Sequence, residues 1–205
     1  EIGTETADSE GDFSVTPSAA LADGDYSLEA KATDAAGNIS SESSSISITI
    51  DTTVPEAPAS LATASSETND TTPTITGTAE ANSTITLFNG NEIIGTATTD
   101  SEGNFSITPS NALADGTYSL TAKATDSAGN ESSLSSEFSV VIDTVSPNKP
   151  TSLSHISNKN QPKPRISGTA EPNSIVTLIN ENEILGTTTS DSNGIFFYTH
   201  PSNLK

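Results

Sequence analysis

The sequence predicts an all-β chain organised as tandem antiparallel β-sandwiches of about seven strands each. Three observations predict it. Apolar and polar residues alternate: Tyr118, Leu120, Ala122 and Ala124 are interleaved with Ser119, Thr121, Lys123 and Thr125, the period-2 pattern of a half-buried strand. The stretch from Asp8 to Pro55, DSEGDFSVTPSAALADGDYSLEAKATDAAGNISSESSSISITIDTTVP, returns nearly letter for letter from Asp100 to Pro147, a period of 92 residues. That is too long for a solenoid turn and suits one small sandwich. Clusters of Gly, Asn and Asp punctuate the alternating runs, and no convincing amphipathic helix is present.

The period divides the chain into 1–52, the C-terminal part of one copy; 53–144, a complete copy; and 145–205, the N-terminal part of a third. Beginning on Glu1 without Met and breaking off within a copy, the chain reads as a window on a longer array. The third copy is one residue shorter before its GTAE motif, since Gly168 follows Gly77 by 91 residues. In the complete copy the alternation predicts strands near 59–64, 73–79, 84–89, 92–99, 104–108, 117–126 and 136–142. Phe13/Val15 and Ile46/Ile48/Ile50 predict the corresponding strands of the first copy. Asn89-Gly90-Asn91 marks a hairpin, Asp100-Ser-Glu-Gly103 a longer turn, Asp115-Gly116 a bend and Ser127-Ala-Gly129-Asn130 another turn. The two incomplete copies are expected to leave sheet edges and part of a core open, and hence to be poorly ordered or to pair between molecules.

Leu113-Ala-Asp115-Gly-Thr-Tyr118, repeated as Leu21-Ala-Asp23-Gly-Asp-Tyr26, resembles the tyrosine corner of immunoglobulin-like sandwiches. Two residues beyond the Tyr, where an antibody domain has Cys, stand Leu120 and Leu28. Tyr118 is therefore expected to be a corner residue and not a ligand-binding aromatic.

With 27 acidic and 7 basic side chains the formal charge is −20, which opposes nucleic acid as a partner and favours cations. Such charge with only 31% hydrophobic residues is also a signature of disorder. The phase of the alternation, kept in both copies, argues against it. The acids are uneven: residues 1–144 hold 23 acids and 2 bases, residues 145–205 hold 4 acids and 5 bases. No Cys is present to form a disulfide. No apolar run approaches the ~20 residues of a membrane helix, and no signal peptide is recognisable.

Strand parity brings the loops after the second, fourth and sixth strands to one pole. They carry Glu80 and Asn82; Asp100, Glu102 and Asn104; and Asp126 and Asn130. Asp51, closing the last strand of the preceding copy, is delivered to the same pole. Crowded carboxylates raise one another's pKa unless a cation neutralises them, and such an oxygen-rich site suits Ca²⁺, which takes about six to eight oxygens. Zn²⁺ is disfavoured, with only His155 and His200 and no Cys. By the same logic Asp143 is expected near Glu171, Asn173 and Asp191, where loss of a Glu and an Asn from the loop makes the second site weaker or differently built. The plain alternative is that Asp, Asn and Gly are what tight turns use. An EF-hand loop is absent.

The phrases GTAEANSTITL, IGTATTDSEGNFSITP, LADGTYSLTAKATDSAGN and VIDTVSP, with GTAEPNSIVTL and ILGTTTSDSNGIF in the third copy, resemble the bacterial Ig-like repeats of giant secreted adhesins of the RTX or biofilm-associated, type I secreted kind. The resemblance covers essentially the whole chain. It implies a secreted or cell-surface stalk of tandem Ig-like domains whose partners are the neighbouring domains of the same chain. It also implies Ca²⁺ at or near the joints and host or biofilm ligands bound through other regions. The matching metal candidates are Asp51, Asp143, Asp100, Glu102 and Asp126, with Asp8, Glu10 and Asp34 in the first copy. An enzyme is not expected, because G-x-S-x-G, H-E-x-x-H and a Cys nucleophile are all missing, and the acids recur at turns. The alternative function is a glycan- or protein-binding module, one accessory to an extracellular enzyme for example. Lys159, Lys163, Arg165 and Phe196-Phe197-Tyr198 of the third copy are its candidate surface.

Overall fold

The computed structural model describes residues 1–156, 163 and 165–199, which fall in two compact units, Glu1–Thr144 and Val145–Lys205. Regular structure among the described residues is entirely β. The first unit contains β1 (Gly24–Leu28), β2 (Ile46–Ile50), β3 (Ala59–Ala62), β4 (Glu67–Thr68), β5 (Ile75–Thr78), β6 (Thr84–Asn89), β7 (Glu92–Thr98), β8 (Asn104–Ile107), β9 (Gly116–Thr125) and β10 (Phe138–Ile142). The second contains β11 (Thr151–Ile156), β12 (Arg165–Thr169), β13 (Ile175–Asn180), β14 (Glu183–Thr189) and β15 (Ile195–Thr199).

The complete copy is a two-layer sandwich. One layer is ordered β3-β5-β8 and the other β4-β10-β9-β6-β7. All seven expected strands are found, with an eighth, β4. It pairs parallel with β10, Glu67 opposite Val141 and Thr68 opposite Ile142, while the other strand pairings among the described residues are antiparallel, as expected. Two polar residues carry no period-2 signal, so β4 is invisible in the pattern. Its value is topological: within a few residues the chain covers one edge of each layer, β3 on the first and β4 on the second.

Between the layers Ile75 and Ile107 meet Leu87, Leu120 and Val140, all buried. Gly77 lies opposite Phe105 in the β5–β8 register, and a Cβ on Gly77 would stand 2.5 Å from Cζ of that ring. The Gly of GTAE and the Phe two residues beyond the end of the Asp100 turn are thus one packing unit. Gly168 and Phe196 rebuild it in the second unit.

The second unit repeats the first five long strands of the copy, with sheets β11-β12-β15 and β13-β14. The register break between Leu87 and Phe88 reappears between Leu178 and Ile179. Open surfaces are present as expected, with Ile175, Ile179 and Ile184 exposed. In residues 1–52 only β1 and β2 form. Phe13 and Val15, expected in a strand, are not in one. Their counterpart β8 is held by β5, and residues 1–52 contain no equivalent of β5. Tyr26 and Tyr118 do form their corners, each hydroxyl donating 2.9 Å to the carbonyl four residues back, Ala22 and Ala114.

Candidate functional site at the domain joint

Strand register places the three acidic loops of the complete copy at one pole. Thr84 is opposite both Thr98 and Thr125, and Thr78 is opposite Asn104. The loops are also tied together: Ala79 N–H donates to Gly103 O at 2.9 Å, and the Glu80 carbonyl accepts the hydroxyls of Ser83 at 2.7 Å and Thr99 at 2.6 Å. Glu80 therefore enters this bracket through its main chain. Glu171 does the same, its carbonyl accepting Ser174 at 2.7 Å and Ser190 at 2.5 Å. Asn82 and Asn173 share φ of 61°, the left-handed conformation Asn tolerates best among non-glycine residues, which accounts for both without a ligand.

Each D-x-x-G loop is built around its own carboxylate. Asp100 Oδ1 accepts the N–H groups of Glu102 at 2.9 Å and Asn104 at 2.8 Å. Asp126 Oδ1 holds Ala128 and Asn130 at 2.9 and 2.8 Å. Asp191 Oδ1 holds Asn193 and Ile195 at 2.9 and 2.8 Å. Asp8 and Asp34 repeat the arrangement with Glu10 and Asp12, and with Ala36 and Asn38. Gly103 completes its turn at φ +83°, where any Cβ would run into the Ala79 carbonyl.

These bonds set the electrostatics. Backbone and side-chain donors from Asn104 hold Asp100 below the ordinary carboxylate value of 3.8, and the Asn130 side chain does so first for Asp126. Asp8 is lowered mainly by the Asp12 amide and Asp34 mainly by the Asn38 side chain. The direction is opposite to the mutual repulsion expected from sequence. Amide donors supply the stabilising positive charge, because the carboxylates point into their own turns instead of at each other.

The linker does arrive at this pole. Asn130 Nδ2 donates to the Asp51 carbonyl at 3.0 Å and to Asp126 Oδ2 at 2.8 Å, and all three residues are half-buried. Asp51 Oδ1 accepts Thr53 N–H at 3.0 Å, and Pro55 and Pro58 beyond it are buried. Glu80, Asp100 and Glu102 lie exposed on the same pole. Among the described residues no three His, Cys, Asp or Glu side chains gather into a group able to hold a metal, so the acids do not present a preformed calcium cage. Asp143 is exposed, its N–H donating to Thr68 O at 3.0 Å.

Two residue sets escaped the sequence reading. Asp23 and Asp115 looked like bend residues, yet Asp115 Oδ1 accepts both the N–H and the hydroxyl of Thr144, at 3.1 and 2.9 Å. Asp23 does the same for Thr52 at 3.1 and 2.9 Å and adds the Thr53 hydroxyl at 3.0 Å. The signal was the co-occurrence of ADG with a D-T linker in both copies. The serines after Asn130 were also missed. Ser132 and Ser135 hydroxyls accept Ala124 and Ala122 N–H at 2.9 Å, continuing the edge of β9 with side chains where β10 has not yet begun.

In the third copy Arg165 stacks over Phe197 at 4.0 Å from the ring centroid, and Lys163 is exposed. Lys159 and His200 lie outside the described residues. A shallow pocket of about 210 Å³ beside Tyr118, lined by Asn89, Glu92, Ile93, Ser110 and Leu113, contains no nucleophile paired with a base.

A tetra-tandem repeat from the extending region of a large adhesion protein is similar at 22% identity and a TM-score of 0.39, over 95% of this chain and 56% of that one. The BSP domain of a biofilm-associated protein is similar at 22% identity and a TM-score of 0.33, over 74% of this chain and 25% of that one. The chain thus spans about half of the first and a quarter of the second. No curated protein matches it. The model of the bacterial Ig-like domain matches residues 1–52 and 59–144. That match takes in the tyrosine corners of both copies and both layers of the sandwich, and the chain belongs to the bacterial Ig-like domain family.

Proposed function

We propose that the chain is a spacer segment of a bacterial surface adhesin, extracellular and non-enzymatic, whose repeats hold a separate binding region away from the cell. The observation that carries this reading is the reuse of one acidic design at a 92-residue period, Asp8 to Asp100, with the recurring polar residues satisfied inside turns and linkers. Residues that recur to shape turns and joints serve spacing; recognition needs donors and acceptors left facing outward. No helix among the described residues is long and apolar enough to cross a membrane. Removing one repeat in frame from the parent protein is expected to shorten its reach and leave binding by the distal region intact. Direct binding of this purified chain to host surfaces or glycans would overturn the reading.

Calcium at the joints is the finer part of the proposal. The charge of −20 supports it, and Asp51 and Asp126, both tied to Asn130 at the joint, are the carboxylates such an ion would meet there. The backbone bonding of each loop Asp counts against a preformed cage. Chelation is then expected to lower the melting temperature and shorten the particle in solution scattering; if neither changes, calcium has no part in the spacer.

The second reading, a glycan- or protein-binding module, is favoured by one feature, the cation–π pair of Arg165 and the half-exposed Phe197. Glycan-array binding that is lost in Phe197→Ala would install it.

A further inference from the structure

The peptide joining Asp51 to Thr52 is gripped from both sides. Its C=O accepts Asn130 Nδ2, from the loop after β9 of the complete copy, at 3.0 Å. Its N–H donates to Asp23 Oδ1, from the bend before β1 of the first copy, at 3.1 Å. We propose that this single planar peptide is a metal-independent lock that fixes the direction in which one repeat follows the other. The proposal rests on the spacer reading and names the device within it.

The geometry carries it in three steps. A peptide group is rigid and planar, so fixing its C=O to one domain and its N–H to the other leaves little freedom for bending between the two anchors. Each anchor is itself immobilised. Asn130 is held by Asp126 Oδ2 at 2.8 Å, while Asp23 also takes the Thr52 hydroxyl at 2.9 Å and the Thr53 hydroxyl at 3.0 Å. The flanking chain is pinned as well, by the Thr53 N–H on Asp51 Oδ1 at 3.0 Å and by the burial of Pro55 and Pro58. Within the first copy Asn38 makes the matching bond to Asp34 Oδ2 at 2.8 Å, and both residues are exposed. The bond inside the loop therefore forms without the lock, and the reach to the linker carbonyl is the added feature at the joint.

The absence of Cys makes the test direct. Nitroxide labels on Ser27→Cys and Thr96→Cys, one exposed strand position on either side of the joint, report the interdomain distance by pulsed electron paramagnetic resonance on the full chain in EDTA. The otherwise unsubstituted chain is expected to give a single narrow peak. Asn130→Ala and Asp23→Ala are each expected to lose it, while Asn38→Ala and Asp115→Ala, the matching residues away from this joint, keep it. Retention of the narrow peak in both Asn130→Ala and Asp23→Ala overturns the lock. So does an unsubstituted chain that is broad in EDTA and narrows only with Ca²⁺, a result that would instead uphold the calcium part of the spacer reading. The Asp23 carboxylate hydrogen-bonds the linker residues Thr52 and Thr53, so its variant keeps the test decisive if Asn130→Ala fails to fold.

Discussion

Residues 1–51 and 93–143 share nearly the same sequence and meet different fates. Phe105 is 5% exposed and its counterpart Phe13 is 60% exposed; Ile107 is 2% exposed and Val15 is 38%. The turns, however, are unchanged: Asp8, Asp34, Asp100 and Asp126 all hold their backbone amides, and both tyrosine corners close at 2.9 Å. The contrast separates two classes of information. Asx turns and corners act over about four residues and form wherever their sequence occurs. Burial of the strand faces requires β5 and β6, which residues 1–51 lack.

The sharpest way to break that comparison is a matched pair in the core. Phe105→Ala is expected to cost about 3–5 kcal/mol in denaturant unfolding of the full chain, whereas Phe13→Ala stays within about 0.5 kcal/mol. Equal losses would mean that Phe13 packs as its counterpart does. The serine bracket offers an intermediate case. Ser132→Ala removes the acceptor of the Ala124 N–H in a fully buried setting and is expected to cost about 1–3 kcal/mol, while Ser40→Ala, which breaks the same bond to Ala32 at an exposed site, changes melting little. The smallest effect is acidic. Folding lowers the pKa of Asp100 below 3.8, so its stabilising contribution is complete above that value and is lost as pH falls through the folded value. Asp100→Asn is thus expected to flatten the acid limb of a melting-temperature profile. Asp8→Asn is expected to flatten it in the same direction, because the Asp12 amide likewise holds Asp8 below 3.8. A steeper limb in Asp100→Asn would refute the assignment.

The same distinction explains what could be read in advance. The run Thr84–Asn89 was legible to the residue because apolar side chains alternate along it. β4 was not, since two polar residues leave the pattern blank and only its partner β10 defines it. The pole was legible, as strand parity follows from counting, and Asp51 does reach Asn130 there. The direction of each carboxylate was not. Sequence spacing brings Asp100 and Asp126 to one end of the sandwich, but turn geometry aims each at its own main chain. Asp23 and Asp115 were hidden because their partners lie 29 residues away, beyond any local motif.

The parallel pairing of β4 with β10 also decides how the domain meets tension. Val141 N–H donates to Ser66 O at 2.8 Å and Asp143 N–H to Thr68 O at 3.0 Å, joining the segment near the entrance of the complete copy to the strand at its exit. Pulling the two ends of the copy apart drags these parallel neighbours in opposite directions along their length. Hydrogen bonds crossing that direction are strained in shear, so they give way together and not one after another as in an unzipped hairpin. Two residues that leave no trace in the hydrophobic pattern would then set the threshold at which the repeat yields.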